Sequence, residues 1–292
     1  MNEQKTAFIT GAAMGMGALK ARTLAERGWR VFAGVLPGAD TSELGEHENI
    51  TAVEQDVTNT ESVNASAATV TAALGDAGLD LLINNAGIAN SGVGVIEGAD
   101  MEAAMLTFQV NMFGTWRVIQ AFLPLVRKNA PTSRVINFAS GAVKANPVGS
   151  GAYNMSKHAV VGLTRTLRHE LAPLGIQVTA VEPGAVKTHM TADSQETTQD
   201  IWRKVSQEIR DVYEQHHREG TCEVLPKMIE EKGNEAQYVV DEVLGLLDIK
   251  NWKPSYLVGK DAKPLGPMYK ILPERTFEKI IQGASKIKAY KG

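Results

Sequence analysis

Tyr153 and Lys157 stand at i and i+4 in Tyr153-Asn154-Met155-Ser156-Lys157, inside a stretch, 151–171, whose apolar residues recur with helical period. That spacing places both side chains on one helix face. A phenol titrates near ~10 in isolation, too high for a base at neutral pH, and an ammonium one turn away stabilises the phenolate and lowers that value. Ser140 ends an apolar run thirteen residues before Tyr153 and can donate a hydrogen bond to an oxygen on which charge develops. The three together could move a proton at an alcohol or carbonyl oxygen. Near the N-terminus, Thr10-Gly11-Ala12-Ala13-Met14-Gly15-Met16-Gly17 joins an apolar run to a helical stretch. Glycines there let the backbone turn tightly and approach a pyrophosphate, and the helix start offers free N–H groups. The spacing is not G-x-G-x-x-G, so the turn alone also fits a simple strand-to-helix joint. Moving a hydride between an alcohol carbon and a nicotinamide requires a proton to leave or join the oxygen, which is the task Tyr153, Lys157 and Ser140 suit.

These residues need a frame that brings them together. Short apolar runs at about 5–10, 30–35, 52–55, 79–84, 133–139, 176–181 and 255–258 alternate with helical stretches at 15–27, 59–74, 101–128 and 151–171. Runs such as Leu79-Asp80-Leu81-Leu82-Ile83 and Val135-Ile136-Asn137-Phe138 are nearly all apolar, as strands buried on both faces must be. The pattern predicts an α/β fold, a doubly wound parallel sheet in a single domain spanning 1–292. Thr58-Asn59-Thr60-Glu61 has the form of a capping box for the helix 59–74. From 188 to 233 the chain is polar, with a long charged helical stretch from Gln195 to Arg218. This segment reads as a lid inserted over the sheet rather than a domain. A C-terminal extension, 260–292, carries a helical run at 274–288.

Further residues fall into place along this frame. Asp56 and Val57 follow the third strand, Asn84-Asn85-Ala86-Gly87 ends the fourth, Asn111 lies in Val110-Asn111-Met112-Phe113-Gly114, and Glu182-Pro183-Gly184 leads to Val186 and Thr188. With Ser140, Tyr153 and Lys157, this series resembles the short-chain dehydrogenase/reductase family, in the family's order, over about 5–190. Glu182-Pro183-Gly184 with Thr188, and Tyr256-Leu257-Val258-Gly259-Lys260-Asp261-Ala262, make it similar to the branch of retinol, hydroxysteroid and 3-hydroxybutyrate dehydrogenases. The resemblance implies a Rossmann fold with Asn111, Ser140, Tyr153 and Lys157 as catalytic residues. It also implies that Lys157 holds the nicotinamide ribose and that Asn111 anchors a water in a proton relay. Dinucleotide contacts would come from Gly11, Ala13, Met14, Gly15, Met16, Asp56, Val57, Asn85, Ala86, Gly87, Tyr153, Lys157, Pro183, Gly184, Val186 and Thr188. Asp56 is read as touching adenine, the alternative being that it caps the next helix.

The coenzyme is read as NAD, with NADP the alternative. An acidic side chain near the end of the second strand would bind a ribose 2′-hydroxyl, and a basic one a 2′-phosphate; the chain has Gly34-Val35-Leu36-Pro37-Gly38 there and Met14 in the glycine turn. A missing positive charge disfavours a phosphate more than a missing carboxylate disfavours a hydroxyl. Asp40 could serve if its loop folds back. Val93, Val95, Ile96, Ala142, Val143, Pro147, Val148, Met155 and Met190 suggest an apolar pocket for a steroid-, retinoid- or terpenoid-like secondary alcohol or ketone. A small hydroxy acid such as 3-hydroxybutyrate is the second reading, with Lys144, His189 and Gln195 as candidates for its carboxylate. A dinucleotide-binding sensor without turnover is the third.

Thirty basic against 33 acidic residues, interspersed, give a net charge of −3 and speak against a nucleic-acid partner. Cys222, alone among 292 residues, cannot form an intrachain disulfide and fits a reducing cytoplasm. Met1 to Lys5 leads straight into Thr6-Ala7-Phe8-Ile9 without the parts of a signal peptide, and no apolar run reaches the ~20 residues of a membrane span. A soluble cytoplasmic protein without a membrane partner is expected. No metal is expected either, because the neighbouring His216 and His217, with Glu219 nearby, point in different directions on one charged helix. Val118, Ile119, Phe122, Leu123, Val160, Val161, Leu163 and Leu167 exceed what one sheet face covers, which predicts a homodimer or homotetramer built on 101–128 and 151–171.

Overall fold

The computed structural model describes residues 4–89, 94–187, 194–214 and 225–284. Strand and helix alternate through β1 (Thr6–Ile9), α1 (Gly15–Glu26), β2 (Arg30–Val35), β3 (Ile50–Glu54), α2 (Thr60–Leu74), β4 (Leu81–Asn84), α3 (Met101–Phe108), α4 (Thr115–Lys128), β5 (Arg134–Phe138), α5 (Ala142–Ala145), α6 (Gly151–Leu171) and β6 (Gln177–Pro183). Then come β7 (Val186–Lys187), α7 (Ser194–Lys204), α8 (Gln207–Tyr213), α9 (Leu225–Lys232), β8 (Asn234–Glu235), α10 (Ala236–Gly245), β9 (Ser255–Val258), α11 (Leu265–Ile271) and α12 (Glu274–Ala284). Among the described residues, seven strands form one parallel sheet in the order β3-β2-β1-β4-β5-β6-β9. Strand order reverses between β1 and β4, so their carboxyl ends frame the crevice in which such sheets bind ligands.

The sheet is covered on both faces. On one, Ala18, Ala21 and Leu24 of α1 pack with Val239, Val243 and Leu244 of α10 over Ile9, Leu81 and Val181. On the other, Val63 and Val70 of α2, Val118 and Phe122 of α4, and Leu167 of α6 close over Phe8, Leu82 and Val135. The rings of Phe8 and Phe122 meet at 4.1 Å between centroids. A fully buried ring of this size contributes about 2–3 kcal/mol relative to an exposed one.

The structure corrects four expectations. Asn59, not Thr58, caps α2, its side chain accepting from the Ser62 N–H. The expected helix 101–128 is interrupted by a π-helical turn at Gln109–Gly114, where one extra residue per turn loosens the ladder. Residues 195–218 do not form one helix: Ser206 caps α8, accepting from the Ile209 N–H, and so separates it from α7. Residues 215–218 lie outside the described chain, as do His216, His217 and Cys222. Finally, Val118, Ile119, Phe122, Val160, Val161 and Leu167 are buried within the chain itself, and Leu123 and Leu163 pack partly buried against the same core. Packing of α4 and α6 on the sheet and on neighbouring helices absorbs the apolar surplus. Among the apolar side chains that stay exposed are Met101, Met105 and Leu106 on α3, Phe113 in the π turn and Trp116 on α4.

Candidate active site

The glycine turn is held by its neighbours. The Thr10 hydroxyl accepts the main-chain N–H groups of Asn85 and Ala86, each at 2.9 Å, while Asn85 Nδ2 donates to the carbonyls of Thr10 and Gly11. These bonds lock the turn after β1 to the end of β4. Gly11 and Gly15 have φ of +61° and +57°, which glycine adopts without strain. Gly17 cannot carry a side chain, since a Cβ would lie 2.1 Å from the Gly11 carbonyl oxygen. Gly11 and Met14 are exposed, so the main chain of the turn is accessible from the crevice. The Gly15 N–H donates to Glu43 Oε2 at 2.8 Å. Glu43 belongs to a 3₁₀ turn, Ser42–Leu44, which the burial of Leu44 and a bond from Arg22 Nη1 to the Glu43 carbonyl hold against α1. Asp40 closes its own loop instead, accepting from the Ser42 N–H and hydroxyl.

Asn111, Ser140, Tyr153 and Lys157 come from three segments, the π turn, the end of β5 and α6, and meet near the carboxyl end of β5. The π turn delivers Asn111, fully buried, with both ends of its amide engaged. Its Nδ2 donates to the Ile88 carbonyl at 2.9 Å and to Ser156 Oγ at 3.0 Å, and its Oδ1 accepts from the Ile88 N–H at 2.8 Å. Gly114 makes the turn fit, since a Cβ there would press to 2.8 Å on Val57. Lys157 Nζ donates to the Phe138 carbonyl at 3.0 Å and lies 5.7 Å from the centre of the Tyr153 ring. Gly87 lies flush against this pair: a Cβ there would stand 3.1 Å from Asn111 Oδ1 and 3.2 Å from Lys157 Nζ. Ser140 Oγ accepts from the Ala142 N–H, leaving its proton for Tyr153.

Electrostatics departs from the simple expectation of a phenol lowered by its lysine. Burial raises the Tyr153 phenol above its ordinary value, and the hydrogen bond with Ser140 works against that rise. Lys157 is itself pushed down to about 8 by burial. Loss of water is the larger effect for both groups.

The other named residues take varied positions. Asp56 Oδ1 accepts from the Thr58 N–H and hydroxyl, and Val57 is buried against the π turn. Pro183 ends β6, and Gly184 touches the Asp261 carboxylate so closely that a Cβ would overlap it. Ala13 and Met16 flank the core beneath the turn, and Val186 lies buried in β7. Thr188, His189, Met190 and Val93 fall outside the described residues. Sequence reasoning missed Asn234 and Glu43. Asn234 Nδ2 donates to the Ala185 carbonyl and to Asp261 Oδ1, and Asp261 accepts from the Ala185 N–H, bracing the turn after β6. The only signal for either was a polar residue in a region without chemistry of its own.

Around the crevice, Val143 is buried against Val160 and Val161 and does not line a pocket, whereas Ile96, Val148 and Met155 are exposed. Trp202 and Val205, from the end of α7, bury themselves against Val95, with Ile209 and Tyr213 of α8 packed alongside, and Tyr213 donates to Glu97 Oε2. Lys144 is bound to the buried Glu182 at 3.1 Å. Among the described residues, no group of three or more His, Cys, Asp or Glu could hold a metal ion, and no helix is long and apolar enough to cross a membrane.

The arrangement offers a proton donor or acceptor, a hydrogen-bond donor and a cation beside an accessible glycine turn, where the N–H groups at the start of α1 other than that of Gly15, which Glu43 takes, suit a pyrophosphate. The small faces of Gly11, Gly15 and Gly87 leave room for a flat dinucleotide, so the residues present fit a nicotinamide cofactor. The family model for short chain dehydrogenases matches residues 5–199. 17-beta-hydroxysteroid dehydrogenase type 6 of Rattus norvegicus is 34% identical over 264 residues, spanning 89% of this chain and 82% of that protein. Retinol dehydrogenase 7 of Rattus norvegicus is 32% identical over 265 residues, with 89% and 82% covered. Among solved structures, a short chain dehydrogenase from Burkholderia cenocepacia J2315 in complex with NADP superposes with a TM-score of 0.71 at 27% identity, over 94% of this chain and 95% of that one. The chain belongs to the short chain dehydrogenase family and is a nicotinamide-dependent oxidoreductase.

Proposed function

We propose that this enzyme interconverts a bulky, apolar secondary alcohol and its ketone with NAD, using Tyr153, Ser140, Lys157 and Asn111. The observation that carries the reading is the Ser140–Tyr153 pair seated beside Lys157 at the edge of the glycine crevice. A nicotinamide bound there would supply or receive the hydride. Tyr153 gives its phenolic proton to the ketone oxygen, or takes one from the alcohol. At neutral pH its raised pKa keeps it protonated before substrate arrives, ready for reduction. Ser140 donates to the same oxygen as charge develops there. Lys157 holds its ammonium beside the phenol and would bind the nicotinamide ribose. Asn111 fixes the Ile88 loop and Ser156 around them.

The substrate class is supported by apolar side chains at the mouth, Ile96, Val148 and Met155, and by the names of the steroid and retinol dehydrogenases to which the chain is similar. The segment 188–233 acts as a lid; within it Trp202 and Val205 pack toward Val95, while Asp200 and Arg203 are exposed. The hydroxy-acid reading loses its best candidate, because Lys144 is committed to Glu182. NAD is supported by Leu36 and Met14 at positions where a 2′-phosphate needs a cation. The exposed Phe113 and Trp116, beside a groove of about 340 Å³ between α2 and α4, support a homodimer or homotetramer, and a monomeric mass in solution would count against it. The lone cysteine supports a cytoplasmic location, which cell fractionation tests.

The deciding assay follows nicotinamide absorbance with a panel of steroid, retinoid and terpenoid alcohols against short hydroxy acids. Preference for the bulky set, with Tyr153→Phe lowering turnover by a factor on the order of 10²–10⁴ and preserving dinucleotide binding, is the expected result. Near-normal kcat in Tyr153→Phe, or a clear preference for a hydroxy acid, would refute the proposal.

A further inference from the structure

The place where family logic looks for a coenzyme selector, the end of β2, is taken by the exposed Leu36, which offers neither charge nor hydrogen bond. The nearby Asp40 spends its carboxylate on Ser42. Yet a carboxylate does reach the glycine turn: Glu43 Oε2 accepts from the Gly15 N–H at 2.8 Å, the first N–H of α1. Three features fix it there. Leu44, next in the chain, is buried against α1; Arg22 of α1 donates to the Glu43 main-chain carbonyl; and the positive end of the α1 dipole favours a negative group at this point. The positive φ of Gly15 aims its N–H, and nothing lies within 4 Å of where a Gly15 Cβ would stand, so the space beside the carboxylate is open.

We propose that Glu43 is the residue that selects the dinucleotide, accepting the 2′-hydroxyl of the adenosine ribose and repelling a 2′-phosphate. The inference rests on reading the glycine turn as an NAD site. A 2′-phosphate brings about two negative charges next to a carboxylate already held by a helix N-terminus, and the guanidinium of Arg22 donates to the Glu43 main-chain carbonyl. A ribose hydroxyl in the same place brings a donor to an acceptor and no charge. The selector comes from a 3₁₀ turn after β2 rather than from the strand end, which is why the residues of the strand end carry no sign of it.

Equilibrium titration of the full chain with NADH and with NADPH, read from nicotinamide fluorescence, tests this without turnover. In the native protein NADH binds tighter than NADPH, by a factor on the order of a hundred. Glu43→Gln, which keeps size and acceptor but removes charge, tightens NADPH at least about tenfold and weakens NADH a few-fold. Glu43→Asp retains the preference for NADH, and Asp40→Asn leaves the ratio unchanged; thermal melts of each variant establish that it is folded. If the native protein prefers NADH and Glu43→Gln keeps the same ratio, Glu43 is not the selector and the NAD reading stands. If the native protein binds NADPH as tightly or more tightly, both the NAD reading and the role of Glu43 are wrong. A shift of the ratio in Asp40→Asn equal to that in Glu43→Gln would also overturn the assignment, since it would trace selection to the general charge of the loop.

Discussion

Replacing Lys157 by methionine should abolish turnover and yet make the protein more stable at neutral pH. The ammonium is buried, and burial lowers its pKa from 10.5 to about 8. A difference of that size between unfolded and folded chain is worth about 3 kcal/mol against folding wherever both states are protonated. Methionine fills nearly the same volume without the charge. It also leaves the Phe138 carbonyl, now 3.0 Å from Nζ, without its donor, a loss of about 1–2 kcal/mol. The net expectation at pH 7 is a gain of about 1–2 kcal/mol. The sign with pH follows from the depressed folded value. Below about pH 8 the native chain carries the whole penalty; between about 8 and 10.5 the folded lysine gives up its proton while the unfolded one keeps it, and the penalty fades. The advantage of Lys157→Met should therefore be constant at low pH and shrink above about pH 8. Urea unfolding of both proteins at several pH values, with midpoint and slope reported separately, measures it. A variant less stable than the native protein at pH 7, or a gap that does not change through pH 8 to 10, would refute the reasoning. Such a gain would mean the lysine is kept at the site against stability, as functional groups often are.

Other perturbations follow from the same geometry. Gly17→Ala places a methyl against the Gly11 carbonyl and 2.8 Å from Ala12 Cα; with backbone on both sides, α1 must move, so the melting temperature should fall and NADH binding should weaken at least about tenfold. Lys144→Ala strips the ammonium from the buried Glu182 and should destabilise by about 3–5 kcal/mol, whereas Lys144→Met with Glu182→Leu should recover most of that in the same urea assay. Lys20, fully buried with its ammonium on Asn85 Oδ1 and over the Phe138 ring, has a pKa well below 10.5 through loss of water. Lys20→Met should raise stability at pH 7, and the gain should fade toward pH 10.5; a loss of stability at pH 7 would show that the bond to Asn85 outweighs the desolvation.

Local patterns carried much of this protein. The apolar runs near 79–84 and 133–139 are buried on both sides because a parallel sheet covered by helices allows nothing else, so β4 and β5 were readable from composition alone. Tyr153 and Lys157 share a face because helical spacing requires it, and the glycine turn was visible because its conformations demand glycine. What the sequence could not show is where separate segments meet. The helical period of 101–128 gave no warning of the π turn that carries Asn111, since the extra residue is accommodated by hydrogen bonds to the Ile88 main chain and close packing of Gly114 on Val57 rather than by any local preference. Apolar residues such as Val118 and Phe122 looked like a surplus for a partner subunit, and periodicity cannot tell a neighbouring helix of the same chain from a helix of another. Lys144 looked free for a substrate until β6 brought Glu182 beside it. Burial reversed the expected direction for Tyr153, because desolvation depends on everything packed around a group. Glu43 reaches Gly15 across 28 residues of chain only because Leu44 and Arg22 fold its turn against α1. Spacing along the chain sets which faces exist; the free energy of burying those faces decides which charges and hydroxyls end up within reach of one another.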